Sequence, residues 1–149
     1  MEENHICAYC GEFAGNDKDH ILPESFISSV NYSQAKYPII SMNGDGANLV
    51  PACITCNNRK HESLHFPTII DICTLFKNFS ESQLMRYVDF LYSNKDAIMY
   101  YLDDRCLSYN SELKMFQTNM LYMNAVRDFK EFLELYDNGK FEKIRHTFH

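Results

Sequence analysis

The sequence predicts a mostly α, α+β fold, with a small module over residues 1–66 followed by a bundle of about four helices over residues 67–149. Cysteine spacing, the placement of Gly and Pro, and helical periodicity in the second segment predict it. Cys7/Cys10 and Cys53/Cys56 form two C-x-x-C pairs, each of which sets two sulfurs on one tight turn. Gly11, Gly15, Pro23, Pro38, Gly44, Gly46 and Pro51 all fall in the first segment. In the second, only Pro67 at its start and Gly139 near its end interrupt a helix.

In chain order, Cys7 to Gly11 reads as a knuckle, Ile21-Leu22 and Asn48-Leu49-Val50 as candidate strands, and Ile54 to Glu62 as a short helix begun at the second cysteine pair. Asn31 to Gly46 is a polar connection without a periodic signature. Thr68 to Phe76 has apolar residues at 69, 70, 72, 73, 75 and 76, which predicts a mostly buried helix. Ser80-Glu81-Ser82-Gln83 matches a capping box and opens a helix with apolar residues at 84, 85, 87, 88, 91 and 92. A third helix is predicted over Asp96 to Arg105. The fourth and longest is predicted from about Ser111 to Tyr136, with apolar spacings of three and four and Gly139 as its stop. The aromatic stripes Phe76/Phe79, Tyr87/Phe90/Leu91, Tyr100/Tyr101 and Phe129/Phe132/Leu133/Tyr136 read as core.

Hydrophobic residues make up 46% of the chain, enough for a packed core rather than disorder. The start, Met-Glu-Glu-Asn-His, has no positive stretch leading into an apolar run, and apolar runs are short throughout. These features predict neither a secretory leader nor a membrane span, and a cytoplasmic protein. In a reducing compartment the paired cysteines are expected as thiolates on a metal, and Cys73 and Cys106 as ordinary buried side chains. The net charge is −6: residues 1–66 hold 4 Lys/Arg against 8 Asp/Glu, and residues 67–149 hold 10 against 12. A protein that grips long DNA by counterion release is usually basic. Any nucleic-acid contact here is therefore expected to be local, supported by bound metal ions, or delegated to a partner.

Two C-x-x-C turns supply four thiolates at about 2.3 Å around tetrahedral zinc, a closed site with no position for water or substrate. Cys7, Cys10, Cys53 and Cys56 are thus expected to hold a structural zinc. Between Cys10 and Cys53 lie 42 residues, where a plain ribbon has roughly 15 to 20, so a substantial insertion separates the knuckles.

That insertion and its flanks read Cys7-Ala8-Tyr9-Cys10-Gly11, Asp19-His20-Ile21-Leu22-Pro23, and Asn48-Leu49-Val50-Pro51-Ala52-Cys53-Ile54-Thr55-Cys56-Asn57-Asn58-Arg59-Lys60. In order, spacing and residue type this resembles the HNH nucleases, also called His-Me finger or ββα-metal nucleases. The resemblance implies a ββα-metal module with His20 as the general base, an imidazole able to take a proton near neutral pH. It implies Asp19 and Asn57 as ligands of a catalytic metal and Asn48 as the brace of the loop bearing the base. The chain departs from the name-giving pattern at Asn57, where the family's name has His. Two oxygen ligands favour magnesium or manganese over zinc at this second site. His61 lies four residues after Asn57, on the same helical face, and some family members use a His there as an extra ligand; it is a ligand or an exposed neighbour of the site. Arg59 and Lys60 are expected to steady the phosphate or to be solvated.

The activity implied is metal-dependent endonucleolytic hydrolysis of DNA, in a phage, mobile-element or bacterial defence setting, and hence in a bacterial or phage-infected cell. RNA fits the same chemistry, because such a site reads phosphate rather than base. The alternative is an HNH-derived zinc module that binds nucleic acid or a protein without cutting. The helical segment lacks a basic stripe and is expected to pack on the module, or to serve a protein partner or second copy.

Overall fold

The computed structural model describes residues 5–33, 36–60, 63–110 and 112–142. Two short two-stranded antiparallel sheets and six α-helices occur among the described residues, so the fold is mostly helical α+β.

The chain enters through the knuckle and β1 (Lys18–His20), and Pro23 then opens α1 (Glu24–Ser33), its carbonyl accepting the Ile27 N–H at 3.1 Å. α1 carries Phe26, Ile27 and Val30 inward. The sequence offered no assignment for residues 24–30 and read a polar connection of uncertain shape from Asn31 to Gly46; the helix occupies the former and the first three residues of the latter. Asn31 then pins the returning chain, since its side chain donates to the Ile40 carbonyl and accepts from the Ile40 N–H, each at 2.9 Å. A 3-10 turn at Gly44–Gly46 leads into β2 (Leu49–Pro51), which pairs with β1 in the register Lys18↔Pro51, Asp19↔Val50, His20↔Leu49. α2 (Ile54–Lys60) follows directly.

In the second segment α3 (Ile69–Cys73) is only one turn and a half long, capped by Thr68 Oγ1 accepting from the Asp71 N–H. Ile69 and Ile70 are 61% and 72% exposed, so the predicted mostly buried helix over 68–76 is corrected: Phe76 is the residue it sends fully inward. α4 (Glu81–Ser93) begins with the predicted capping box, Ser80 and Gln83 each bonding the other's backbone N–H. α5 (Lys95–Cys106) matches its expected range within a residue at each end.

The long helix predicted from Ser111 is corrected. A hairpin of β3 (Leu107–Asn110) and β4 (Met115–Thr118) comes first, turning through Lys114 at a positive φ of 53°. α6 (Met120–Asp137) starts only where Asn119 caps it by accepting the Leu121 N–H, and it packs mainly along α5. Ser111 itself lies outside the described residues. Cys73 is exposed and Cys106 half-buried, which corrects the expectation that both are buried.

The buried residues of both segments form one continuous hydrophobic cluster. Phe66 meets Phe129 at 4.8 Å between ring centroids, Tyr9 meets Phe79 at 5.5 Å, and Phe26 meets Tyr101 edge-on at 5.4 Å. The aromatic stripes are core as expected, except for Tyr100, which is 48% exposed. Gly44 marks a tight join between the segments. Its φ is +58°, and a Cβ there would lie 2.7 Å from the Phe90 ring. Left-handed strain and overpacking each cost on the order of 1–2 kcal/mol, so Gly44→Ala is expected to lower stability by about 2–4 kcal/mol in urea titration.

Candidate functional site

The first knuckle is a tight turn in which the Gly11 N–H returns to the Cys7 carbonyl at 2.9 Å with Gly11 at φ +82°, a conformation glycine adopts without steric cost. The turn is anchored to the sheet by the Ala8 N–H, which donates to the Pro51 carbonyl at 2.8 Å. The second pair brackets the start of α2, where the Cys56 N–H points at Cys53 Sγ over 3.5 Å. All six cysteines are free thiols, and the four paired sulfurs lie within 4.8 Å of one another. Cys10 Sγ and Cys53 Sγ are 3.8 Å apart, the edge of a tetrahedron with metal–sulfur bonds of about 2.3 Å. The four-cysteine site can therefore hold zinc. Without a cation the thiols ionise unequally: burial, then hydrogen bonding to its three partners, pushes Cys56 up. For Cys7, burial opposes ionisation but the surrounding backbone amides outweigh it and bring the thiol down to about 7. A dication removes this conflict by accepting all four as thiolates.

Next to these cysteines, β1 alternates in burial in the way of a strand, with Lys18 exposed, Asp19 buried and His20 half-buried, and all three line an open cleft. The cleft has a volume of about 590 Å³ and is lined by Lys18, Asp19, His20, Glu24, Asn57 and Asn58, among others. The structure thus brings together Asp19, His20 and Asn57, from β1 and α2. His20 Nε2 lies 2.8 Å from Asn43 Oδ1. A carbonyl oxygen only accepts, so this contact is a hydrogen bond in the tautomer that carries its proton on Nε2, which leaves Nδ1 as the acceptor. Nδ1 stands 3.4 Å from Glu24 Oε1, a carboxylate that pairs with the ring once it is protonated.

Asp19 is only 6% exposed. Its Oδ2 accepts from Tyr9 Oη at 2.7 Å and pairs with Lys60 Nζ at 3.3 Å. Lys60 Nζ also donates to the His20 carbonyl at 3.0 Å. Burial lowers the Lys60 pKa, opposed by the charge of Asp19, and burial together with that same charge raises the Tyr9 hydroxyl. Lys60 is therefore corrected from a phosphate contact to an internal one, at 4% exposure. Arg59 is exposed but lines a separate recess with Tyr9, Cys10 and His65, so it does not join the His20 cleft. His61 lies outside the described residues.

Asn48 is fully buried. Its Oδ1 accepts the Leu22 N–H at 2.7 Å, and its Nδ2 donates to the Leu22 and Met42 carbonyls at 2.9 Å. It braces the loop beyond His20 and does not line the cleft. Tyr9, Asn43 and Glu24 are the polar neighbours that sequence reasoning missed. Tyr9 is marked only by its place between two paired cysteines, and Asn43 lies in the connection that carried no periodic signal.

Compared with protein-family models, curated proteins and solved structures, the chain finds no match. No helix among the described residues is long and apolar enough to cross a membrane.

Proposed function

We propose that the protein is a metal-dependent endonuclease of the HNH type that hydrolyses phosphodiester bonds in DNA. The observation that carries the reading is the convergence of Asp19, His20 and Asn57 on one open polar cleft beside a four-cysteine staple. The antiparallel β1–β2 pair followed by α2 supports it, since that order is what the resemblance implies.

Asp19 Oδ1, which takes neither of the two contacts made by Oδ2, and the Asn57 amide oxygen supply hard oxygen donors suited to magnesium or manganese. The chemistry such a cation would supply is neutralisation of the charge on the scissile phosphate and on the leaving 3′-oxygen. His20 takes the proton of an attacking water through Nδ1, because Asn43 holds Nε2 in its protonated form. Glu24 stabilises the imidazolium that results. Lys18, exposed on the cleft wall, is the cation placed to meet a phosphate, the role Lys60 does not fill. The products are a 5′-phosphate and a 3′-hydroxyl.

The alternative, a zinc module that binds without cutting, is favoured by one observation: Asp19 is already satisfied by Tyr9 and Lys60. Nicking of supercoiled plasmid in magnesium separates the two. General-base removal costs about 10²–10⁴-fold in rate, so His20→Ala is expected to cut at least 100-fold more slowly with zinc content and circular dichroism unchanged. Undiminished cleavage by that variant would sink the assignment. Parallel digests of double-stranded DNA, single-stranded DNA and RNA define the substrate.

A further inference from the structure

The knuckle of the cysteine site and the carboxylate of the cleft are joined by a single buried network. Tyr9 stands between Cys7 and Cys10, its carbonyl accepts from Asn78 Nδ2 at 2.9 Å, and its ring lies against Phe79. From that fixed base its hydroxyl reaches Asp19 Oδ2. Lys60 comes from the other side, three residues after Asn57 on α2, and its ammonium bonds both Asp19 Oδ2 and the backbone carbonyl of His20. Tyr9, Asp19 and Lys60 are 8%, 6% and 4% exposed, so solvent does little to weaken these contacts. Both fall on one carboxylate oxygen, although Asp19 also lines the cleft.

We propose that Tyr9 and Lys60 are positioning residues that grip Asp19 by Oδ2 and reserve Oδ1 for a divalent cation, so that the cysteine knuckle sets the affinity of the cleft. This rests on the proposed function's reading of the cleft as a metal site. A carboxylate held at one oxygen loses its freedom to rotate before the cation arrives, which lowers the ordering cost of binding. Partners of this kind are worth about 10- to 100-fold in metal affinity where they have been removed from other sites. Lys60 adds a second constraint. By bonding the Asp19 side chain and the His20 backbone with one ammonium, it fixes ligand and base relative to each other, and it supplies the counter-charge that a buried carboxylate requires.

The test is manganese binding to the zinc-loaded full-length chain, followed by the electron paramagnetic resonance of free Mn²⁺. Tyr9→Phe keeps the ring and its packing and removes only the hydroxyl. It is expected to weaken Mn²⁺ by about 10-fold while zinc content and thermal midpoint stay near wild type. Lys60→Met, of similar length, is expected to weaken Mn²⁺ as well. Wild-type Mn²⁺ affinity in a folded, zinc-loaded Tyr9→Phe protein overturns the clamp alone. Absence of a saturable Mn²⁺ site in the wild type, or its persistence in Asp19→Ala, overturns the metal reading of the cleft and the clamp with it.

Discussion

Removing the zinc that the four-cysteine site can hold, by a chelator or by Cys7→Ser, is expected to unfold the N-terminal half of the protein. The regular structure there is slight: β1 and β2 have three residues each and α2 has seven. Cys7 is itself fully buried, the first knuckle is tied to the sheet by the Ala8 N–H bond to the Pro51 carbonyl, and the Ala52 N–H, just before the second cysteine pair, bonds the Asp17 carbonyl. Structural zinc contributes apparent binding energies of about 10–16 kcal/mol in small zinc peptides, comparable with the entire net stability of about 5–15 kcal/mol of an ordinary domain. Loss of even about 4 kcal/mol of that moves the thermal midpoint of a chain this long by roughly 10 °C. The helices should not escape, because Tyr9 packs on Phe79 and the two segments share one core. The expected result is a chelator-dependent fall in the far-ultraviolet melting midpoint, matched by Cys7→Ser without chelator. An identical midpoint with and without bound zinc would remove the staple from the account.

What the sequence made legible was set by range. The cysteine quartet could be read because C-x-x-C closes its geometry within four residues, whereas Asp19, His20 and Asn57 were singled out only through the resemblance of the blocks around them to the HNH nucleases. Lys60 was misread because a cation next to Arg59 on a short helix looks solvated. Which face of α2 turns inward is decided by Asp19, 41 positions away in sequence, and a buried carboxylate draws the lysine that is in reach. The hairpin before α6 was hidden by coincidence of period, since Leu113 and Phe116 are spaced by three residues and extend the helical pattern backwards through a turn. Asn119 was the local signal against it, a side chain that competes for backbone N–H groups and so favours a cap over a helix interior. α1 was passed over because Pro23 looked like an interruption, whereas a proline just before the first turn is compatible with a helix start. Nothing local announced Asn43, whose partner His20 lies 23 residues earlier across the fold.

Asn48→Ala is expected to be among the most damaging single substitutions that leave the cysteine cluster and the residues of the proposed cation site unchanged. The side chain is fully buried and makes three hydrogen bonds, one accepted from the Leu22 N–H and two donated to the Leu22 and Met42 carbonyls. Its backbone adds two more, accepting from the Ile21 N–H and donating to the Asn43 carbonyl. Alanine keeps the backbone pair and strands two buried groups of Leu22, each at about 1–3 kcal/mol, together with the part-buried Met42 carbonyl at a smaller cost. A total of roughly 3–6 kcal/mol corresponds to a drop of about 10 °C or more in the melting midpoint. The functional loss should exceed what instability alone gives, because the loop released at Met42 is the one whose next residue, Asn43, holds His20 Nε2. Assayed well below its midpoint, the folded Asn48→Ala protein is therefore expected to retain zinc and yet nick plasmid more slowly than wild type. Asn48→Asp still accepts from the Leu22 N–H but loses both donations, to the Leu22 and Met42 carbonyls, and buries a carboxylate against them, so it should be at least as unstable as the alanine variant. If both variants melt near wild type, the brace holds nothing that matters. If they are unstable but cut at the wild-type rate when folded, the orientation of His20 does not depend on this loop.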